Sequence, residues 1–158
     1  MDEKYEFKSN EHTIDLIDGG TLAQRLIPII TDYDKVIICD CVTAVDAKIG
    51  DVFFFDFTDV PEVVTWEGSA HEVEMLQTLS MIEMAGDLPE TKIVGVVPYV
   101  IGENSTFDLT DEVLQASKVM EKAVLDYLKQ FDVEVVLKNP DANLQEIARG
   151  SYLRGVER

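Results

Sequence analysis

Asp40 closes the apolar run Val36-Ile37-Ile38-Cys39, and His71 falls in the first turn of a helix that Ser69 opens. In α/β proteins a carboxylate at a strand end and an imidazole at a helix start meet on the rim where chemistry is placed. An oxygen and an imidazole donor suit Zn or Ni. The positive end of the helix dipole disfavours a protonated ring, which keeps His71 in its metal-binding neutral form near neutral pH. Two protein ligands hold a metal only weakly, and no His-x-x-His or Glu-x-x-His spacing supplies a third. A further motif, Asp18-Gly19-Gly20-Thr21, follows the expected strand His12 to Ile17 and should reach the same rim. Its glycines permit positive φ and the close approach of another chain's backbone, and the helix start after it offers N–H groups to an anion. Each feature also has a plainer reading: His71 bonded to loop carbonyls, Asp40 in an Asx turn, and Asp18 to Thr21 as an ordinary strand-to-helix turn.

Cys39 and Cys41 flank Asp40, so in an extended strand the two thiols share one face and the carboxylate takes the other. A disulfide between such close neighbours is strained, and two cysteines make no secreted framework. They are expected to be reduced, buried, structural thiols rather than a Cys-x-Cys metal site. No phosphate-cradling loop, dinucleotide fingerprint or Gly-x-Ser-x-Gly elbow is present.

The 158 residues suit one domain with a substantial core. Their 31 acidic and 13 basic side chains leave a net charge of −18, which repels phosphate backbones and anionic lipid, so neither nucleic acid nor membrane is an expected partner. The polar, acidic start has neither a basic nor an apolar leader segment, and no apolar run approaches the ~20 residues that span a bilayer. A soluble, cytoplasmic chain is expected.

Strand and helix patterns alternate along the sequence. His12 to Ile17 reads as a strand. Thr21 and Gln24 match a capping box for a short helix that Pro28 bends or ends near Thr31. Lys35 to Cys39 is a continuous apolar strand of the buried parallel type, and Asp51 to Phe57 a second, aromatic one. Asp59 to Gly68 is loop. Ser69 and Glu72 form another capping box, opening a helix that buries Val73, Leu76, Leu79 and Ile82 and stops at Gly86. Lys92 to Val97 is a strand ended by Pro98, and Tyr99 to Asp108 is loop. Thr110 caps the longest helix, which carries Val113, Met120, Val124, Tyr127, Leu128 and Phe131 on one face. Val133 to Leu137 is a strand. Asn139-Pro140 then breaks the chain, dividing a domain over residues 1–138 from a tail over 139–158 with a short helix. In that tail Arg149, Arg154 and Arg158 either steady the acidic domain, touch a substrate or lie in solvent.

Five of these pieces, in order, resemble one family. They are Ile17-Asp18-Gly19-Gly20-Thr21, Val36-Ile37-Ile38-Cys39-Asp40, Gly68-Ser69-Ala70-His71-Glu72-Val73-Glu74-Met75, Gly86-Asp87-Leu88-Pro89 and Val94-Gly95-Val96-Val97-Pro98. They are similar to the endopeptidases that mature nickel-iron hydrogenases by removing the C-terminal extension of the large subunit. The resemblance implies a three-layer α/β/α fold of phosphorylase/hydrolase type around a mostly parallel twisted sheet. It implies that Asp40 and His71 are two of three metal ligands and the catalytic pair, and that Asp18, Gly19, Gly20 and Thr21 contact the hydrogenase large-subunit precursor. The metal it implies is nickel presented by that precursor, with Zn or another divalent ion able to replace it in vitro.

The family's first strand, its Gly-x-Gly-Asn turn and the Asp-Glu-Gly segment bearing the remaining ligand would all precede Met1. By resemblance, Met1 to Asn10 matches only a helix end and the loop after it, and the chain is similar to an N-terminally shortened member. The first strand of the family lies between those matching His12 to Ile17 and Lys35 to Cys39. Its loss would leave strand edges through which copies of the chain associate. A non-catalytic module that binds the precursor tail, and an anion-binding domain using the Thr21 helix start, are the alternatives.

Overall fold

The computed structural model describes residues 1–20, 23–65, 70–99 and 108–156, with 70–71 and 151–156 described for the backbone alone. It resolves into two compact units, one of residues 17–98 and one of residues 1–16 together with 99–158.

The larger chemistry-bearing unit is built on three strands, β2 (Lys35–Cys41), β3 (Val52–Asp56) and β4 (Glu90–Val96), in the order β2-β4-β3. β4 is parallel to β2 and antiparallel to β3. Ion pairs between direct cross-strand partners pin this register, Lys35 to Glu90 on one side of β4 and Lys92 to Asp56 on the other at 2.6 Å. The middle strand holds the core: Thr91, Ile93, Val94 and Val96 are all buried, so β4 is covered on both faces. The sequence pattern assigns that role to Lys35–Cys39, but β2 has a strand neighbour on one side only among the described residues. Its Val36, Ile37 and Ile38 are half-buried and Cys39 is exposed.

α2 (Ala70–Ala85) covers this sheet's core through Glu72, Met75, Thr78, Leu79 and Ile82, one face at helical spacing. Val73 and Leu76, expected to be buried, sit at the margin of that face, because its centre runs through Met75 and Leu79. Met81 and Met84 make the outer face apolar too, which blurs the pattern in the sequence. The helix ends as expected at Gly86. There φ is +83°, the Gly86 N–H donates to the Glu83 carbonyl and the Asp87 N–H to the Ile82 carbonyl, a Schellman close that glycine accommodates without strain. Leu79 is fully buried among this cluster. Leu79→Ala is expected to cost about 2–5 kcal/mol in denaturant titration, through lost burial plus the cavity left behind.

A 3-10 turn (Ala23–Leu26) and a four-residue helix, α1 (Ile27–Ile30), precede β2. Pro28 stands in the first turn of α1, where its missing N–H costs nothing, so it starts the helix rather than bending it. His12–Ile17 is not a strand. Its alternation is suitable, but no ladder partner lies beside it among the described residues, and Leu16 and Ile17 stay 43% and 48% exposed.

In the other unit, β1 (Tyr5–Lys8) runs antiparallel to β5 (Glu134–Leu137). The resemblance puts a helix end and a loop at β1. The strand forms there because β5 offers a partner and Lys4 and Tyr5 find one carboxylate, that of Glu121 on α3 (Asp111–Leu128). Lys4 Nζ lies 2.9 and 3.1 Å from its two oxygens, and the Tyr5 hydroxyl donates to it at 2.7 Å. α3 starts as expected on Thr110, whose hydroxyl accepts the Val113 N–H, and buries Ala116, Val124 and Tyr127. α4 (Leu144–Val156) follows the Asn139-Pro140 break. The Gln145 side chain accepts the Leu109 N–H, and Arg149 pairs with Asp108 at 2.7 Å. The Arg154 side chain and Arg158 lie outside the described residues.

Burial pushes the Glu121 carboxyl up, but the hydrogen bonds from Lys4 and Tyr5 outweigh it and hold the group below the usual carboxylate value of 4.5. A carboxyl depressed by folding stabilises above its ordinary value, and that contribution is lost as pH falls through the folded one. Urea midpoints should therefore drop on acidification below about pH 4.5 more steeply for the native chain than for Glu121→Gln, and equal slopes would rule out this linkage.

Candidate active site

Asp40 sits one residue from the end of β2, opposite Gly95 of β4. Its carboxylate is half-buried and accepts the Cys41 N–H at 2.7 Å, a bond to the next residue rather than the i to i+2 bond of an Asx turn. Having one oxygen so engaged does not remove a carboxylate's capacity to bind a cation, since each oxygen carries two lone pairs.

The chain beyond β2 is held on both sides. Val42 is fully buried and its N–H donates to the Val96 carbonyl at 2.9 Å. The Thr43 carbonyl accepts the Thr65 N–H, and Ala44 bridges Val64. The Thr43 hydroxyl donates to Glu72 Oε2 at 3.1 Å. Glu72, only 2% exposed, is the residue that sequence reasoning missed, since it reads only as the capping partner of Ser69. Ser69 lies outside the described residues. A glutamate after a helix-start histidine carries no signal of burial. Only the three-dimensional neighbour Thr43 shows why it turns inward.

His71 is the second residue of α2, as expected, and its side chain is outside the described set. The segments bearing Asp40 and His71 are nevertheless joined, because Thr43 follows the first and Glu72 the second. Both carboxylates also act on Cys41. Burial pushes its thiol up to about 11, and Asp40 and Glu72 add to the rise, so it stays protonated at neutral pH and is a poor nucleophile or metal ligand. Both cysteines are free thiols, as expected, although Cys39 is exposed rather than buried.

Asp18, Gly19 and Gly20 form an Asx turn, with the Gly20 N–H donating to Asp18 Oδ1 at 3.1 Å and Gly20 at φ +61°. A Cβ at Gly19 would come within 3.2 Å of Leu26, so its bareness lets the turn fold against the following helical segment. Thr21 lies outside the described residues. The anion-binding alternative loses its footing here. Ala23–Leu26 and Ile27–Ile30 are each four residues long, too short for an effective dipole.

Among the described residues no three His, Cys, Asp or Glu groups gather to hold a metal.

The unit is a mixed α/β arrangement in which the end of a parallel strand is tied to the start of a helix. The chain belongs to the hydrogenase maturation protease family, whose model matches residues 1–127. It is 57% identical over 148 residues to Protein HydD of Wolinella succinogenes, covering 94% of this chain and 92% of that one. To the Hydrogenase 2 maturation protease of Escherichia coli it is 25% identical over 124 residues, 78% of this chain and 74% of the relative. Two solved structures share the fold at 21% identity. The hydrogenase maturating endopeptidase HybD from E. coli has a TM-score of 0.68, covering 87% of this chain and 82% of its own. An endopeptidase from E. coli solved in solution has 0.71, covering 89% and 84%. Family membership makes the chain a maturation endopeptidase and disfavours a purely tail-binding module. No described helix is long and apolar enough to cross a membrane.

Proposed function

We propose that this protein removes the C-terminal extension of a nickel-loaded hydrogenase large-subunit precursor in the cytoplasm. The observation that supports this most is the tie between the two segments bearing Asp40 and His71, which sets a strand-end carboxylate and a helix-start histidine in one unit. Nickel is part of the substrate here, and Zn can stand in for it in vitro. When bound, the ion supplies a fixed positive charge that polarises a nearby carbonyl. Asp40 and His71 hold the precursor's ion and thereby set the scissile bond in place. Weak retention suits that role, since a protease that reads a loaded metal must release the product with the metal still in it.

The Asp18-Gly19-Gly20 turn contacts the precursor backbone, its bare glycines allowing the approach. An electrophoretic-shift assay of the large subunit, with and without nickel in the precursor, tests the reading. Processing of the loaded form alone is expected, and equal cleavage of both forms would refute metal recognition.

β2 and β3 each have one strand neighbour among the described residues, and Phe54 on β3 is 43% exposed. Such edges pair readily. The chain is expected to self-associate with rising concentration in sedimentation velocity, and a concentration-independent monomer would count against it.

A further inference from the structure

We infer that Thr43 and Glu72 form a positioning pair that sets the spacing between Asp40 and His71, so that cation affinity depends on a hydrogen bond neither candidate ligand makes. The inference rests on the metal-recognition reading above.

Burying a carboxylate is costly unless it is well bonded, so Glu72 at 2% exposure calls for a reason. Its Oε2 accepts the Thr43 hydroxyl at 3.1 Å. Thr43 is no loose partner, since its carbonyl takes the Thr65 N–H at 2.9 Å and Val42 before it is fully buried and bonded to Val96. The backbone that carries Asp40 is thus fixed to β4 and to the 61–65 segment, and the Thr43 hydroxyl extends that fixed frame to the first turn of α2. Glu72 sits one residue from His71 on that turn. Glu72 faces the core, where its carboxylate meets Thr43, and so ties the backbone of this first turn to the strand end. A shift of either partner would move the helix start against the strand end.

A purely structural bond and a positioning bond make opposite predictions. Replacing both partners of a buried polar pair by apolar groups of similar shape is close to neutral for stability, and exchanging a buried charge for an apolar side chain often stabilises. The test is titration of the full chain with Ni(II) alone, read by its d–d absorption and by calorimetry, beside a urea unfolding curve for each variant. The Thr43→Val/Glu72→Met double variant is expected to fold cooperatively in urea and to lose about tenfold in Ni(II) affinity, the scale typical of groups that orient ligands. In a His71→Ala background the same double change should have no further effect on affinity. Thr43→Ser and Glu72→Gln, which keep a donor and an acceptor, should bind Ni(II) as the native chain does. If the double variant fails to fold, Thr43→Val against Thr43→Ser decides by the same readout. Native affinity in a folded Thr43→Val, or an equal loss in the presence and absence of His71, overturns the positioning role. Ni(II) binding that survives both His71→Ala and Asp40→Ala overturns the metal reading itself, and this inference with it.

Discussion

Replacing either Asp40 or His71 by alanine is expected to abolish processing of the nickel-loaded precursor, with rates falling by more than about two orders of magnitude. Removing a group that merely orients a metal ligand typically costs 10- to 100-fold, and removing a proposed ligand itself should cost more. Neither substitution should unfold the chain. Asp40 is half-buried near the end of β2, and what its backbone contributes to the ladder with β4 does not depend on the side chain. His71 lies in the first turn of α2, where alanine is a good helix former. Circular dichroism and urea midpoints near native values, with no shift of the large subunit on a gel, are the expected pair of results. Processing at more than a tenth of the native rate by either variant would remove that residue from the site.

The second large effect is expected at a residue with no side chain. Gly95 lies opposite Asp40 in the parallel ladder, and a Cβ there would fall 2.5 and 2.6 Å from the two γ-carbons of Val42 and 3.1 Å from its Cβ. Those atoms belong to a short, branched, fully buried side chain that cannot swing aside. Gly95→Ala must therefore displace Val42, and with it the segment from Asp40 to Thr43, or part β2 from β4. Overpacking of this kind costs about 1–3 kcal/mol. Because the displaced segment carries the site, processing should fall along with stability. The cause is checked by shortening the neighbour. In a Val42→Ala background, Gly95→Ala should cost less than about 0.5 kcal/mol, whereas equal costs in both backgrounds would show that the two residues do not clash.

The elements that the sequence determined alone are those specified by local chemistry. The Thr110 cap, the glycine stop at Gly86, the aromatic strand over Val52–Asp56 and the apolar run up to Asp40 are read from neighbours a few residues away, and all are present. Five motifs in order were enough to reveal the family, because side-chain identity at fixed spacing survives without coordinates. What only tertiary structure decided are the features that need a distant partner. His12–Ile17 has a strand's alternation but gains no ladder among the described residues, while Tyr5–Lys8 becomes a strand because β5 and Glu121 are there to receive it. β2 is the more apolar strand in sequence, yet among the described residues it is β4 that is flanked on both sides and buried on both faces, because that depends on its neighbours. Nothing in the sequence around Glu72 signals that it is buried against Thr43, 29 positions away. Periodicity and caps act over one or two turns of chain, whereas pairing, centrality and the burial of a charge are set by whatever the fold brings alongside.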